Sequence, residues 1–396
     1  MKKIRPIFLL FLFISIYFPN IQSFAQASKV PGIVVDYIPT STKTFIGSPS
    51  ICILPNGDYV ASHDHFGPGS TEFERALTAV FKSTNKGKSW TKISEIDGQF
   101  WSNLFVYENA LYIMGTWKHH GNLIIRKSTD GGVTWTEPTS ATTGLIREGE
   151  YHTSPMPMVV HNGRIWRAIE NAKSESSKWG LRYSAMVFSA PLGSDLLNAA
   201  NWTNTNFLTH NPAYLDGKFG GWIEGNAVVT PDGKIIDLLR VATSEKGREL
   251  AAIVNISEDG KTASFDPATG FFDFVGGAKK FSVRYDPKSK RYWTICNMMS
   301  SEYSTLDAGS VRNKLVLKSS TDLKTWTIHK QLLYHPEVKK HGFQYIDWHF
   351  DGKDIIFLSR TAWDDQFGGA DNYHNANYLT FHRIKNFRKE IRKEIK

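Results

Sequence analysis

Ser128-Thr129-Asp130-Gly131-Gly132-Val133-Thr134-Trp135 is the stretch that decides the fold. Its logic is local. The acidic side chain caps backbone N–H groups inside a tight turn, Gly supplies a left-handed residue, and Trp packs beneath the hairpin that results. Ser83-Thr84-Asn85-Lys86-Gly87-Lys88-Ser89-Trp90 repeats the pattern with an amide in place of the acid. Ser320-Thr321-Asp322-Leu323-Lys324-Thr325-Trp326 lacks the Gly and is one residue shorter, and Ser257-Glu258-Asp259-Gly260 is a fragment. Recurrence at long spacing signals a repeat architecture.

Outward from these turns, a second unit recurs: an apolar run, a turn with Gly, Asn or Asp, and another apolar run. Six copies are read, at residues 50–61 turning at Asn56-Gly57, 103–115 at Glu108-Asn109, 154–168 at Asn162-Gly163, 224–241 at Asp232-Gly233, 281–296 at Pro287-Lys288 and 345–360 at Asp351-Gly352. Two hairpins per unit make a four-stranded blade, so the expectation is an all-β chain forming one β-propeller. The last unit supplies only three strands, ending at residues 376–382. The segment Gly32-Ile33-Val34-Val35-Asp36-Tyr37 is the natural fourth, which makes the N-terminal strand close the last blade. No helical periodicity or linker divides the body, and residues 28–385 are read as one propeller domain.

The chain has 396 residues and a formal charge of +9. That charge sits at the ends. Lys2, Lys3 and Arg5 precede an apolar run from Ile7 to Phe18 and the small residues Ser23-Phe24-Ala25, the pattern of a secretory signal peptide over residues 1–25. Residues 383–396 carry seven basic and two acidic side chains, read as a basic tail (386–396) that is solvated, frayed or a short helix. The body between is nearly neutral, which argues against nucleic acid as a partner. No later segment reads as a membrane helix, and no Cys stands at the cleavage point, so the mature protein is expected to be periplasmic or secreted. Cys52 and Cys296, the only 2 cysteines, fall in separate units and are expected to be unpaired.

In a propeller, the start of the innermost strand and the loop after the second strand share one face. Sorting by that rule gathers Ser50 with His63-Asp64-His65; Trp101 and Asn103 with Trp117, His119 and His120; Tyr151 and His152 with Arg167 and Glu170; Trp222, Glu224 and Asn226 with Arg240; Lys280 with Asn297; and Tyr345, Asp347 and His349 with Arg360. Cations for a carboxylate, aromatic faces for a ring and imidazoles that titrate near neutrality suit an acidic sugar. Each has a plainer reading. The arginines can pair with Glu170, Asp237 or Asp364, the histidines can bond loop backbone or face solvent, and the tryptophans can pack. A metal held by His63, Asp64 and His65 is disfavoured, because neighbours along a strand point to opposite faces.

These turns are Asp-boxes (BNR repeats), and the chain resembles the sialidase-superfamily propellers over nearly all its body. Sialidases use an arginine triad, a Tyr nucleophile with a Glu partner, and an Asp acid near the N-terminus after an Arg-Ile-Pro type motif. Here the first unit opens Gly47-Ser48-Pro49-Ser50 and supplies no Arg. The segment Ser48–Ile51, Leu54–Asp64 and Phe66-Gly67 resembles more closely the propeller enzymes that remove terminal rhamnose from rhamnosyl-α-1,4-glucuronate caps of arabinogalactan, described as α-L-rhamnosidases or as lyases. That resemblance implies seven blades, although six units are counted.

It also implies an acidic plant-type glycan as partner and β-elimination at the glucuronate, with His63 as base or acid and His152 or Tyr151 as counterpart. Asp64, Asn103, His119, His120, Arg167, Glu224, Arg240, Lys280, Asp347 and Arg360 would then line the substrate site. No cofactor is required by this chemistry, a structural calcium is possible by resemblance, and no metal ligands are assigned. Hydrolysis by a sialidase-like exo-glycosidase and glycan binding without catalysis are the competing readings.

Overall fold

A computed structural model describes residues 29–392. The proposed signal peptide and the last four residues of the tail lie outside the described residues. Six antiparallel sheets follow one another along the chain, each of four principal strands, and the chain is a six-bladed β-propeller. The count corrects the seven blades implied by the rhamnosyl-glucuronate resemblance. Residues 174–221, irregular in sequence, hold the outer strands of blade 3, Ser184–Pro191 and Thr203–Asn204, and no extra blade.

Each hairpin read from the sequence is the inner pair of one blade. Blade 1 uses Ser50–Ile53 and Tyr59–Phe66, and blade 2 uses Phe100–Tyr107 and Ala110–Thr116. At the tip of the latter, Glu108 and Asn109 both take left-handed φ, as a two-residue turn between twisted strands requires. The last blade is built from Gly342–Asp351, Asp354–Ala362, Tyr378–Ile384 and Ile33–Tyr37, so the N-terminal strand closes the ring, pairing Ile33 with Phe381 and Tyr37 with Tyr378.

The core is a set of inter-blade sandwiches. Six main apolar clusters each span two consecutive blades, for example Cys52, Val60 and Val80 of blade 1 against Leu104, Leu111 and Ile113 of blade 2. Burial of such faces is what holds blades with few covalent connections together. The turns add caps. Asp130 accepts from the N–H groups of Val133 and Thr134, at 3.0 Å each, while Ser128 Oγ accepts from Gly132 N and Trp135 wedges against the cluster between blades 1 and 2. In the shortened copy Leu323 itself takes φ 67° where the others place Gly.

Cys52 and Cys296 are free and buried, as their positions in separate blades imply. The beginning of the basic tail departs from a solvated end. Residues Phe387–Arg392 form a 3-10 helix in which Phe387 is buried against Trp293 and Phe350, and Arg388 bonds both carboxylate oxygens of Asp286, at 2.7 and 2.6 Å.

Candidate functional site

Around the axis, one polar side chain bridges each blade to the next. Ser50 Oγ accepts from Leu104 N (2.9 Å), Asn103 Oδ1 from Arg167 Nε (2.9 Å), Glu170 Oε1 from Gly225 N (2.9 Å), Asn226 Oδ1 from Val283 N (3.0 Å), Asn297 Nδ2 donates to Phe343 O (2.7 Å), and Asp347 Oδ2 accepts from Ile51 N (2.9 Å). Buried polar groups must be satisfied, and here their satisfaction closes the ring. Asn103, Arg167 and Asp347, expected as substrate contacts, are therefore committed to neighbouring blades. Arg167 is fully buried and also bonds Thr153 Oγ1, Ser154 O and Ala168 O, and Lys280 is buried with its ammonium on Ile346 O.

The innermost strands of blades 2, 4 and 6 share a second device. Each slips register, between Phe100 and Asn103, Ile223 and Asn226, and Gln344 and Asp347. Within each slip sits a left-handed residue that is not Gly: Trp101 (φ 47°), Glu224 (φ 59°) and Tyr345 (φ 54°). Such a conformation costs about 1 kcal/mol or more and persists where the surroundings enforce it, which is characteristic of functional sites.

These strained residues converge on two adjoining cavities at the end of the propeller opposite the inner hairpin turns. One of about 230 Å3 is lined by Asp64, Trp101, His119, His152, Tyr183, Tyr345, Arg360 and His374 among others. The other, of about 250 Å3, is lined by Arg240, Arg312, Tyr345, Tyr373 and His374, and Trp179 borders both.

Tyr345 is the centre of charge. The guanidinium carbons of Arg360 and Arg312 lie 4.9 and 5.8 Å from its ring centroid. Arg240 bonds Glu224 Oε2 at 2.9 Å, interacts with Tyr345 as well, and lies 4.9 Å from the ring of the exposed Trp179. Burial resists ionisation of Glu224, yet Arg240, His152 and Arg312 outweigh it and hold the carboxyl below its ordinary range. Burial, reinforced by Glu224, keeps the Tyr345 phenol above its ordinary value against the pull of the three arginines. Arg360 is pushed down to about 10 by burial, and burial together with Arg360 and Arg312 keeps the imidazole of His374 well below its ordinary value. A Tyr and a Glu thus face three cations in a partly dry cavity, an arrangement that can hold a carboxylate and stabilise developing charge.

The other expected residues divide by strand alternation. His152 lines the pocket, its Nδ1 2.7 Å from Glu170 Oε2 and its ring 4.3 Å from that of Trp101. Its neighbour Tyr151 points the other way, into the apolar cluster between blades 2 and 3. Asp64 lines the pocket, with one carboxylate oxygen accepting from Ser48 N and the other from Trp101 N. His63, expected as the catalytic base or acid, does not: it is fully buried on the opposite face of blade 1, stacked on Phe81, with Nε2 2.7 Å from Asp36 Oδ2. His119 borders the cavity 3.5 Å from Glu72 Oε2, and His120 Nε2 lies 3.0 Å from the Tyr183 hydroxyl.

Arg312, His374, Trp179 and Tyr183 escaped the sequence reading. All but Trp179 immediately precede, by a few residues, the third strand of a blade, and that strand's start lies on the same face as the first strand's. Extending the sorting rule to the far end of the second loop finds them. A larger cavity of about 800 Å3 lies near the inner hairpin turns, lined by Val228, Val229, Thr230, Gly233, Tyr285 and Phe350 among others. Its ionisable groups are few, and two of them, Arg284 and His349, bond each other at 3.1 Å.

No protein-family model matches the sequence, and no curated protein does. Solved structures do. A Penicillium chrysogenum α-L-arabinanase, complexed with arabinobiose, is similar with TM-score 0.56 and 13% identity over 91% of this chain and 99% of its own. The microbial sialidase Hz136 gives TM-score 0.59 and 14% identity over 90% of this chain and 69% of its own. These likenesses establish the propeller. A Trypanosoma rangeli sialidase with bound sialic acid follows the same pattern, with TM-score 0.52 and 14% identity over 88% of this chain and 55% of its own.

Proposed function

We propose that the protein is a periplasmic or secreted carbohydrate-active enzyme that hydrolyses a terminal acidic sugar from a glycan. The observation that carries this reading is Tyr345, held at φ 54° with Glu224, Arg240, Arg312 and Arg360 around it. It matches the nucleophile pair and the arginine triad implied by the sialidase resemblance. The Arg missing from the first unit has a substitute: Arg360, from blade 6, stands 4.2 Å from the ring centroid of Phe66 in blade 1.

Arg312 and Arg360 would bind the sugar carboxylate, while Arg240 stays paired with Glu224. Tyr345 Oη would attack the anomeric carbon as its proton passes to Glu224, and the glycosidic oxygen would leave with a proton from Asp64 or His152, acid-base groups that line the same cavity. Water would then cleave the glycosyl-tyrosine and return the proton. A Tyr nucleophile does not need the two-carboxylate spacing of most glycosidases. The glycoside-hydrolase names of the similar propellers, arabinanase and sialidase among them, support a glycan substrate.

A second reading is favoured by the His152–Glu170 pair, whose imidazole faces the same cavity. There the arginines neutralise a glucuronate carboxylate, His152 takes the C5 proton, the C4–O4 bond breaks as a C4=C5 double bond forms, and rhamnose leaves carrying O4, which another His or a Tyr of the pocket protonates. One assay separates them. Terminal sialic acid and rhamnosyl-glucuronate oligosaccharides are incubated with the protein; release of an acidic sugar without new near-ultraviolet absorbance supports hydrolysis, and a fluorinated acidic sugar should label Tyr345 by mass. Release of rhamnose with an unsaturated, ultraviolet-absorbing uronate overturns hydrolysis in favour of elimination, and binding without any product overturns both.

A further inference from the structure

The pair of histidines flanking Asp64 is left over from the pocket, and it meets a third group across the ring closure. His63 and His65 project from one face of the strand Tyr59–Phe66, with ring centroids 5.1 Å apart. Opposite them stands Asp36, on the N-terminal closing strand. All three ligand atoms lie within 4.8 Å of one another.

The hydrogen bonds set the tautomer. His63 Nδ1 lies 3.0 Å from the backbone carbonyl of Asp64, an oxygen that can only accept, so Nδ1 carries the proton. That leaves the Nε2 lone pair facing the Asp36 carboxylate at 2.7 Å. Two acceptors meet there unless a proton or a cation stands between them. A backbone carbonyl on Nδ1 is also the arrangement that orients Nε2 of a ligating histidine.

We propose that Asp36, His63 and His65 bind one divalent transition-metal ion, Zn2+ before others, and that the ion clamps the closing strand to blade 1. Two imidazoles and a carboxylate suit zinc, whereas calcium takes oxygen ligands. Ligands about 2.0–2.1 Å from a tetrahedral ion lie roughly 3.3 Å apart, so Asp36 must withdraw by about half an ångström on loading. It has room to do so. The register slips between Val34 and Asp36, the bulge that aims this carboxylate inward, and the Asp36 side chain is 27% exposed on an edge strand. The exposed side leaves an entry path and a fourth position for water. The charged neighbours of His65 beyond the cluster are Glu95 and Lys92, which pair with each other on the outer strand of blade 1.

The site is separate from the pocket, because Asp64 between the two histidines points to the opposite face. Its role is to fix the closing strand, which joins the last blade by pairing with Tyr378–Ile384, against the face of blade 1 that follows it in the chain. The test uses the untagged chain stripped with EDTA. Calorimetric titration with Zn2+ should show one ion per chain, Co2+ should give a visible band of tetrahedral intensity, and excess Zn2+ should raise the melting temperature by several degrees. In His65→Gln and in Asp36→Asn, both at partly exposed side chains, the stoichiometric binding, the Co2+ band and the thermal gain should disappear while far-ultraviolet dichroism is kept. Absence of stoichiometric binding by the native chain overturns the proposal, as does undiminished binding in both variants. Neither result bears on Tyr345 or on hydrolysis.

Discussion

The innermost strands fall into two kinds that alternate round the ring. In blades 2, 4 and 6 they are long and unbroken, Phe100–Tyr107, Phe219–Val229 and Gly342–Asp351, and each carries a slipped register around its left-handed residue. In blades 1 and 3 they are cut in two, Phe45–Ile46 with Ser50–Ile53 and Tyr151–His152 with Val159–His161, and in blade 5 the strand starts late, at Ser282. The unbroken strands deliver Trp101, Glu224 and Tyr345 to the site by strain, because a left-handed residue turns a side chain off the regular alternation. The broken ones place His152 and the Gly47-Ser48 break at the pocket, and the strands that follow or their loops add Asp64, Tyr183 and Arg312. The proposed nucleophile pair, Tyr345 and Glu224, sits on the first kind.

The sharpest attempt to break this contrast is Tyr345→Phe. It should lower kcat by about 1000-fold or more with the melting temperature nearly unchanged; normal turnover would remove the strained strand of blade 6 from the chemistry. Arg312→Ala, in the loop before the third strand of blade 5, should lower kcat/KM for an acidic substrate by about 100-fold and for its neutral analogue far less. An equal fall for both sugars would mean that Arg312 only packs.

Asn226→Ala tests the bridges rather than the site. Asn226 accepts from Val283 N and donates to Leu238 O and Phe281 O, so its loss should cost about 2–4 kcal/mol in urea unfolding and leave the activity of the folded fraction intact. A large loss of activity in the folded fraction would join bridge and site. The smallest effect is expected in blade 5 at Lys318, which is buried over the ring of Phe274 and whose ammonium burial pushes down to about 8. Below pH 8 the lysine is charged in both folded and unfolded chains and the folded state bears the full penalty. As pH rises from 8 towards 10 the folded chain loses its proton first, so stability measured against Lys318→Met should shift towards the wild type by roughly 1–2 kcal/mol. A flat difference across that range would place the ammonium in water.

Much of the architecture was legible. Asn162-Gly163 and Asp351-Gly352 mark hairpins because only a few residue types accept the turn, and the Gly32–Tyr37 run declares itself by the strand missing from the last unit. The site was legible only by face. Asp64, His152, Glu224, Arg240 and Arg360 are in or against the cavities, but Tyr151 and His63 point away, since alternation along a strand gives no sign of which parity faces inward when both faces are buried. Asn103, Arg167 and Asp347 look like ligand-binding groups in a list of residues. What makes them bridges is the blade next door.

Turn chemistry and apolar alternation, being local, determined from the sequence alone that this is an all-β propeller, that it has six units and that its first strand closes the last. The three register slips, the meeting of Tyr345 with arginines from blades 4, 5 and 6, and the encounter of Asp36 with His63 and His65 were decided only by the tertiary structure. Each depends on contacts between residues far apart in the chain, and no neighbouring residue encodes them.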